Sequence, residues 1–330
     1  MAVVNTALGE VEAANLGMTL MHEHVFINLM REDRETGLLN DYDIMKYELG
    51  AFMAAGGATI VELTTAELTS GASPDPTGRY SGQSSTGHAE NGVRSANNVL
   101  SLVELSRDLG LHIVLGTGHY RDPYLESDWF DRVGVQGIAE QMIKDLTIGI
   151  GETGVRAGII GEVGADKWYL SSSEYRSFMA AGIAQKETGV AVSTHAARWP
   201  IGIDQLDVLV KAGADPRRII IGHSDTVNIP EYHEEIAERG AFVQFDTIRG
   251  GAYDTNRRVE FVLNLARKNL LHQVLLSQDV QSHTNLHVGG GEGYDFLPTV
   301  FAAALLRAGL TQDDLDLILI DNPRRALTGQ

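Results

Sequence analysis

Leu20-Met21-His22-Glu23-His24-Val25, near the N-terminus, is an apolar run interrupted by two histidines one residue apart. In a β-strand successive side chains alternate faces, so His22 and His24 share one face and Glu23 takes the other. Two imidazoles on one strand face suit the capture of a divalent metal ion, because neutral imidazole is a common ligand for zinc and its neighbours. A His-x-His pair alone is equally at home on a strand that binds nothing. Whether later strands end in further ligands decides between the two readings.

Outward from this stretch the chain alternates. Short apolar, β-branched runs at 58–63, 111–116, 157–163, 190–195, 218–223, 241–246 and 273–279 read as strands. Between them, helical spacing is found at 44–55, 93–109, 135–148, 173–188, 203–212, 231–239 and 259–268, and helices at 298–308 and 312–320 close the chain. The strands are apolar throughout rather than alternating, as parallel strands covered on both faces by helices must be. Eight such units point to the α/β class and to a (β/α)8 TIM barrel. The alternative, an open doubly wound sheet, lacks the Gly-x-Gly-x-x-Gly that would follow its first strand. No linker is evident, so residues 1–330 are expected to form a single domain. Residues 28–43 read as a loop leaving the first strand. Residues 71–91, rich in Gly, Ser, Thr and Pro, form the longest stretch of loop composition and are expected to border a site.

Composition narrows the function. Hydrophobic content of 43% and charged content of 21% describe a globular protein without a disorder signature. A net charge of −18 argues against nucleic acid and anionic membranes as partners and leaves a small molecule. With no cysteine, disulfides, thiolate metal sites and cysteine nucleophiles are excluded. Residues 1–20 lack a basic-then-apolar signal pattern and no apolar run is long enough to cross a membrane, so a cytoplasmic location is expected.

Polar residues end almost every strand: His22 and His24, Glu162, His195, His223, Asp246 and Asp279. In a barrel the C-terminal strand ends form one mouth, where active sites sit, so these residues would converge. Four histidines and two carboxylates exceed what one metal needs and suit a binuclear site with ions roughly 3.5–4 Å apart. Each has a bland reading. Glu162 reads otherwise as a paired buried carboxylate, His195 and His223 as core histidines, and Asp279 as a cap. Asp246 reads as the residue that orients a ligand histidine. His112 begins its strand, at the wrong end, and is structural. His88, His233, His272, His283 and His287 read as solvated. His119 and Tyr120 follow the third strand and face the mouth as candidate substrate contacts.

With these residues in hand, the chain resembles the phosphotriesterase family of the amidohydrolase superfamily nearly from end to end. The likeness rests on Asn5-Thr6 with Leu16-Gly17-Met18-Thr19-Leu20-Met21-His22-Glu23-His24, and on Ala157-Gly158-Ile159-Ile160. Ser193-Thr194-His195, Ile221-Gly222-His223-Ser224-Asp225, Leu275-Leu276-Ser277-Gln278-Asp279 and Asp321-Asn322-Pro323-Arg324-Arg325 follow in the family's order. The resemblance implies that His22, His24 and Asp279 hold a more buried metal and that His195 and His223 hold a more exposed one. Many members bridge the two with a carboxylated lysine; here Glu162, preceded by Gly161, stands at that position, and Lys167 lies beyond the strand. The stretches 240–248 and 293–295 are closer to the branch called phosphotriesterase homology proteins, in which a glutamate bridges. Tyr120 matches a tyrosine that lactonase members place over the metals. The arginine that acyl-homoserine lactonases carry after the seventh-strand aspartate is Thr247 here, with Arg249 two residues on as a third candidate substrate contact.

The implied chemistry is hydrolysis of an ester or lactone, extending to organophosphate esters, by a metal-bridging hydroxide. Two divalent ions, zinc first and manganese, cobalt or iron as alternatives, lower a water pKa from about 15.7 towards about 7. Asp279 is the expected general base, and His223 with Asp246 or Asp225 passes the proton outward. The rivals are an amidase or deaminase on the same metals, and an inactive barrel that binds a small ligand. The resemblance also implies a homodimer. Specificity is expected in loops 28–43, 71–91, 247–255 and 281–296.

Overall fold

The computed structural model describes residues 2–74 and 92–330, so most of the loop expected at 71–91, with His88, lies outside the described residues. An antiparallel hairpin of β1 (Val3–Thr6) and β2 (Gly9–Glu12) comes first. The chain continues through β3 (Met18–Glu23), β4 (Ile27–Asn28), β5 (Leu38–Leu39), α1 (Tyr42–Ala54), β6 (Gly57–Glu62), α2 (Ala96–Leu109) and β7 (His112–Thr117). Next come α3 (Ser127–Thr147), β8 (Ile159–Ala165), α4 (Ser172–Thr188), β9 (Val192–Ala196), α5 (Gly202–Lys211), β10 (Ile219–Gly222) and α6 (Pro230–Glu238). The chain ends with β11 (Phe242–Phe245), α7 (Ala252–Arg267), β12 (Val274–Leu276), α8 (Ala302–Arg307), α9 (Gln312–Asp316) and α10 (Asn322–Thr328).

One eight-stranded sheet orders β3-β6-β7-β8-β9-β10-β11-β12, every pair parallel and consecutive, with each expected strand in its place. The ring closes through backbone bonds just past β12 and β3: Asp279 N–H donates to the His22 carbonyl at 3.1 Å and His24 N–H to the Val280 carbonyl at 3.3 Å. Glu23 fastens this seam from the face opposite the histidines. Its buried carboxylate accepts from the Gln278 N–H (2.8 Å), the Val280 N–H (2.9 Å) and the Ser277 hydroxyl (2.7 Å). The architecture is a (β/α)8 barrel.

Two buried clusters divide the strands' side chains. Met21, Val61, Val114, Ile159, Ala191, Ile220, Phe242 and Leu275 fill the lumen, joined from below by Val4 of the N-terminal hairpin and Ala326 and Leu327 of α10. Leu20, Ile60, Ile113, Ile160, Val192, Ile221, Val243 and Leu276 face the helical sleeve. Both faces of the strands are thus apolar, which is why period-2 alternation is absent from the sequence.

Local signals placed most helix ends. Ser171 and Glu174 form a reciprocal cap at the start of α4, and Gly110 ends α2 at φ 72°, where a Cβ would be strained. Two helices begin earlier than their spacing predicts. In α3 the extra turns precede Gly134 (φ 62°), where the helix kinks rather than starts, and α7 starts at Ala252 rather than 259. The expected loop at 28–43 contains the short β4–β5 ladder. None of the described helices is long and apolar enough to cross a membrane.

Candidate metal centre

The C-terminal strand ends surround a cavity of about 200 Å³, whose wall includes His24, Tyr120, Glu162, His195, His223, Arg249 and Asp279. His22 lies beneath it, fully buried. The residues expected to converge do so. Glu162 is the hub: its Oε2 stands 3.2 Å from His22 Nε2, 3.1 Å from His195 Nδ1 and 3.6 Å from His223 Nε2. Its Oε1 is 3.4 Å from His24 Nε2, and that same nitrogen is 3.3 Å from Asp279 Oδ1.

Backbone irregularity aims several of these side chains. Leu20 faces the helices and Met21 the lumen, so strict alternation would send His22 outward. Between Leu20 and Glu23, β3 takes three steps while β6 takes two from Ile60 to Glu62, and the additional residue turns His22 inward beside Met21. The same device operates in β8, where Ile160 to Val163 runs against Val192 to Thr194 of β9 and delivers Glu162 to the lumen. His223 would follow Ile221 outward, but its φ of 53° redirects it. His195 needs no such device, being in phase with lumen-facing Ala191.

Carboxylates and a hydroxyl behind the histidines fix which nitrogen is offered. Asp246 accepts at Oδ2 from His22 Nδ1 (2.8 Å) and at Oδ1 from His223 Nδ1 (2.8 Å) and His223 N–H (2.9 Å). With both oxygens occupied it fixes the orientation of the two imidazoles. Behind His24, Nδ1 meets the Thr64 hydroxyl at 2.9 Å, Thr64 donates to Glu62, and Glu62 pairs with Arg94 at 2.5 Å. This chain was missed in the sequence; its signal is the polar Glu62-Leu63-Thr64 that ends β6. With Nδ1 of His22, His24 and His223 turned to these partners, Nε2 is the nitrogen each ring presents to Glu162.

These donors fit metal ions. His22 Nε2 is buried and makes no directed hydrogen bond, an orphan among carboxylate oxygens. Ligand atoms of His22, His24 and Asp279 lie within 4.8 Å of one another, as do those of Glu162, His195 and His223. Electrostatics asks for cations there. Burial opposes ionisation of Glu162, yet His22, His195 and His223 hold its carboxyl well below the usual range. Burial also opposes Asp279, but the bond to His24 and the charges of His223, His22 and Arg249 keep it ionised. Among the rings, burial pulls His24 down, but Asp279 and Glu162 outweigh it and push it up to about 9. Asp246 likewise carries His223 up to about 10 against burial. Burial and repulsion by His223 lower His195 to about 4.

The remaining expectations divide. Tyr120 is on the wall with its hydroxyl 3.4 Å from His195 Nδ1, and burial and Glu162 keep its phenol protonated. Arg249 is also on the wall, its guanidinium on the Gln278 carbonyl (3.3 Å) and the Asp279 carbonyl (2.5 Å). His119 is not on the wall: it is buried between Trp129 and Phe130 with Nδ1 2.6 Å from Glu67. His233, read as solvated, is 1% exposed, bonded to the Ser224 carbonyl at 2.8 Å and packed between Phe245 and Phe261. Asp225 does not touch the His223 ring; it binds Thr247 and Arg258.

The chain is similar to known proteins over nearly its whole length. The sequence profile of the phosphotriesterase family matches residues 2–73 and 90–327. The phosphotriesterase homology protein of Escherichia coli (strain K12) is 30% identical over 309 residues, covering 93% of this chain and 96% of its own. The N-acetyltaurine hydrolase of Dictyostelium discoideum is 27% identical over 389 residues, covering 98% and 97%. A mutant phosphotriesterase-like lactonase of Deinococcus radiodurans superposes with a TM-score of 0.77 at 27% identity, covering 98% of this chain and 99% of that one. The chain belongs to the phosphotriesterase family, a family of metal-dependent hydrolases.

Proposed function

We propose that the protein hydrolyses a small ester or lactone at a binuclear site. His22, His24 and Asp279 would hold one divalent ion, His195 and His223 a second, and Glu162 would bridge them. The observation that carries this reading is the position of Glu162 within 3.1–3.6 Å of all four histidines. Bound ions, zinc first, supply Lewis acidity towards the scissile carbonyl and ionise water near neutral pH. The chain does the rest. Asp279, ionised and steadied at its carbonyl by Arg249, accepts the attacking water's proton. His223 then passes the proton outward, backed by Asp246. Tyr120, protonated at the cavity wall, donates to the substrate oxygen. A phosphotriester, attacked in line at tetrahedral phosphorus, calls on the same metal-activated water and belongs in the substrate panel.

A second reading changes the bond. Relatives named N-acetyltaurine hydrolases cleave an amide, and they align with 98% of this chain. Matched ester, lactone, amide and phosphotriester substrates distinguish the readings by their relative kcat/KM. The bridge is tested by elemental analysis of the wild type and Glu162→Ala. About two metals per chain, falling in the variant, support the bridged centre. About one metal, unchanged by the substitution, refutes it and makes the enzyme a mononuclear hydrolase.

A further inference from the structure

We infer that the substrate is an anion, a small acyl compound whose free carboxylate or sulfonate pairs with Arg198. The inference deepens the hydrolase reading above and rests on it for the acyl part only.

The cavity wall carries three guanidiniums and four carboxylates, namely Arg121, Arg198 and Arg249 with Glu32, Glu162, Asp166 and Asp279. Arg121 binds Glu32 and stands 3.0 Å from Asp166. Arg249 stands 3.4 Å from Asp279 and holds two backbone carbonyls. Glu162 and Asp279 are committed to the histidines. Among the described residues, the guanidinium of Arg198 makes no hydrogen bond and no ion pair, although it is exposed on a chain of net charge −18. An arginine offers five donors in a planar fork that matches an oxyanion, and Arg198 is one of the residues that line the cavity.

Its backbone is built rather than loose. Arg198 adopts φ 72°, a left-handed conformation that residues with a Cβ rarely take. The Arg198 N–H donates to the Thr226 hydroxyl at 2.7 Å, which in turn donates to the His223 carbonyl at 2.7 Å. Arg198 lies three residues past His195, so the strand that carries one metal-ligand candidate and the loop after another jointly set its position. Strained backbone of this kind persists where surrounding structure holds a functional group in place. The wall therefore presents reaction groups at its floor and an unpaired cation at its rim, which selects an acyl compound with an anionic tail.

The test uses three 4-nitrophenyl esters of equal length: the hemiester of glutarate, its methyl-capped neutral form, and the 4-sulfobutyrate ester. With zinc-loaded wild type, at least one anionic ester should exceed the neutral one about tenfold or more in kcat/KM, and the better of the two names the anion. In Arg198→Gln that ratio should fall about 10- to 100-fold, the effect of a lost charge-assisted bond, while Arg198→Lys should lose less. Equal kcat/KM for charged and neutral esters, or a ratio unmoved by Arg198→Gln, overturns the proposal. If no ester is turned over, the ester reading fails and calorimetry decides the anion site alone. Glutarate and 1,3-propanedisulfonate are titrated into wild type and Arg198→Gln of equal zinc content. Weakening of either dianion by about tenfold or more supports the site; equal affinities for both in the two proteins overturn it.

Discussion

Replacing Asp246 with Asn tests whether one buried carboxylate sets both halves of the proposed metal centre. Four donors fall on its two oxygens: His223 N–H and Nδ1 on Oδ1, His22 Nδ1 and Gln244 Nε2 on Oδ2, at 2.7–2.9 Å. An amide keeps one accepting oxygen and turns an NH2 towards the other pair. Whichever way it flips, two donors face a donor, and one ligand histidine must change tautomer or rotate. Each charge-assisted bond lost is worth about 1.5–3 kcal/mol, and groups that orient metal ligands typically govern about 10- to 100-fold in metal affinity. Asp246→Asn is therefore expected to weaken zinc binding by about 10- to 100-fold, read by competition with a chromogenic chelator at neutral pH. Simple destabilisation needs a control. Glu67→Gln breaks a buried carboxylate–histidine bond of similar length, 2.6 Å to His119, away from the cavity wall. It should lower the melting temperature comparably and leave zinc affinity alone. Zinc affinity within about threefold of wild type in Asp246→Asn, or an equal loss in Glu67→Gln, refutes the reasoning.

Other outcomes follow from the same contacts. Asp279→Asn should retain zinc yet lose turnover, because an amide cannot take the proton from water; full activity in this variant removes Asp279 from the role of base. His24 titrates near 9 in the fold against about 6.5 unfolded, so its stabilisation of the metal-free protein is complete below about pH 6.5 and is lost as pH rises through about 9. Because metal requires neutral rings, the gap in melting temperature between zinc-loaded and metal-free protein should widen from pH 6.5 to 9; a constant gap contradicts it. Glu23→Gln turns an NH2 towards one of the two backbone N–H donors of the seam and should cost about 1–3 kcal/mol, seen as a lower denaturation midpoint. An unaltered midpoint means the seam does not depend on Glu23.

Much of this architecture is legible in the sequence because strand ends announce themselves. Isolated polar residues closing apolar runs, as in Ile221-Gly222-His223 and Leu275-Leu276-Ser277-Gln278-Asp279, mark both the eight strands and the mouth. What could not be read depends on pairing between distant strands. The extra residues in β3 and β8 are visible only against the register of β6 and β9. His233 reads as a polar helix residue, but its burial is imposed by Phe245 and Phe261 arriving from β11 and α7. Thr64, Glu62 and Arg94 act through one another across β6 and the segment before α2, so no local pattern reports them. Arg198 reads as one more exposed residue after its strand, and only the fold brings it to the cavity wall.

The site and the closure of the barrel are one structural problem. Asp279 donates its backbone N–H to the carbonyl of His22, so the first and last strands meet through the very residues whose side chains face the lumen. On one side of this seam Glu23 ties β3 to the end of β12 by accepting backbone hydrogen bonds. On the other, His24 Nε2 and Asp279 Oδ1 stand 3.3 Å apart, placed to share an ion. A cation held there would cross-link the two ends of the sheet, and its removal would leave the ring to the backbone bonds and the side chains of Glu23 and Ser277. Metal loading should therefore stabilise the β3–β12 seam more than the β9–β10 junction, where the ladder pairs four residues on each strand without a gap. Hydrogen exchange that slows on zinc addition at His24, Asp279 and Val280, with little change at Ile220 and Ile221, is the expected pattern. Uniform slowing across the sheet would mean that closure and ligation are independent.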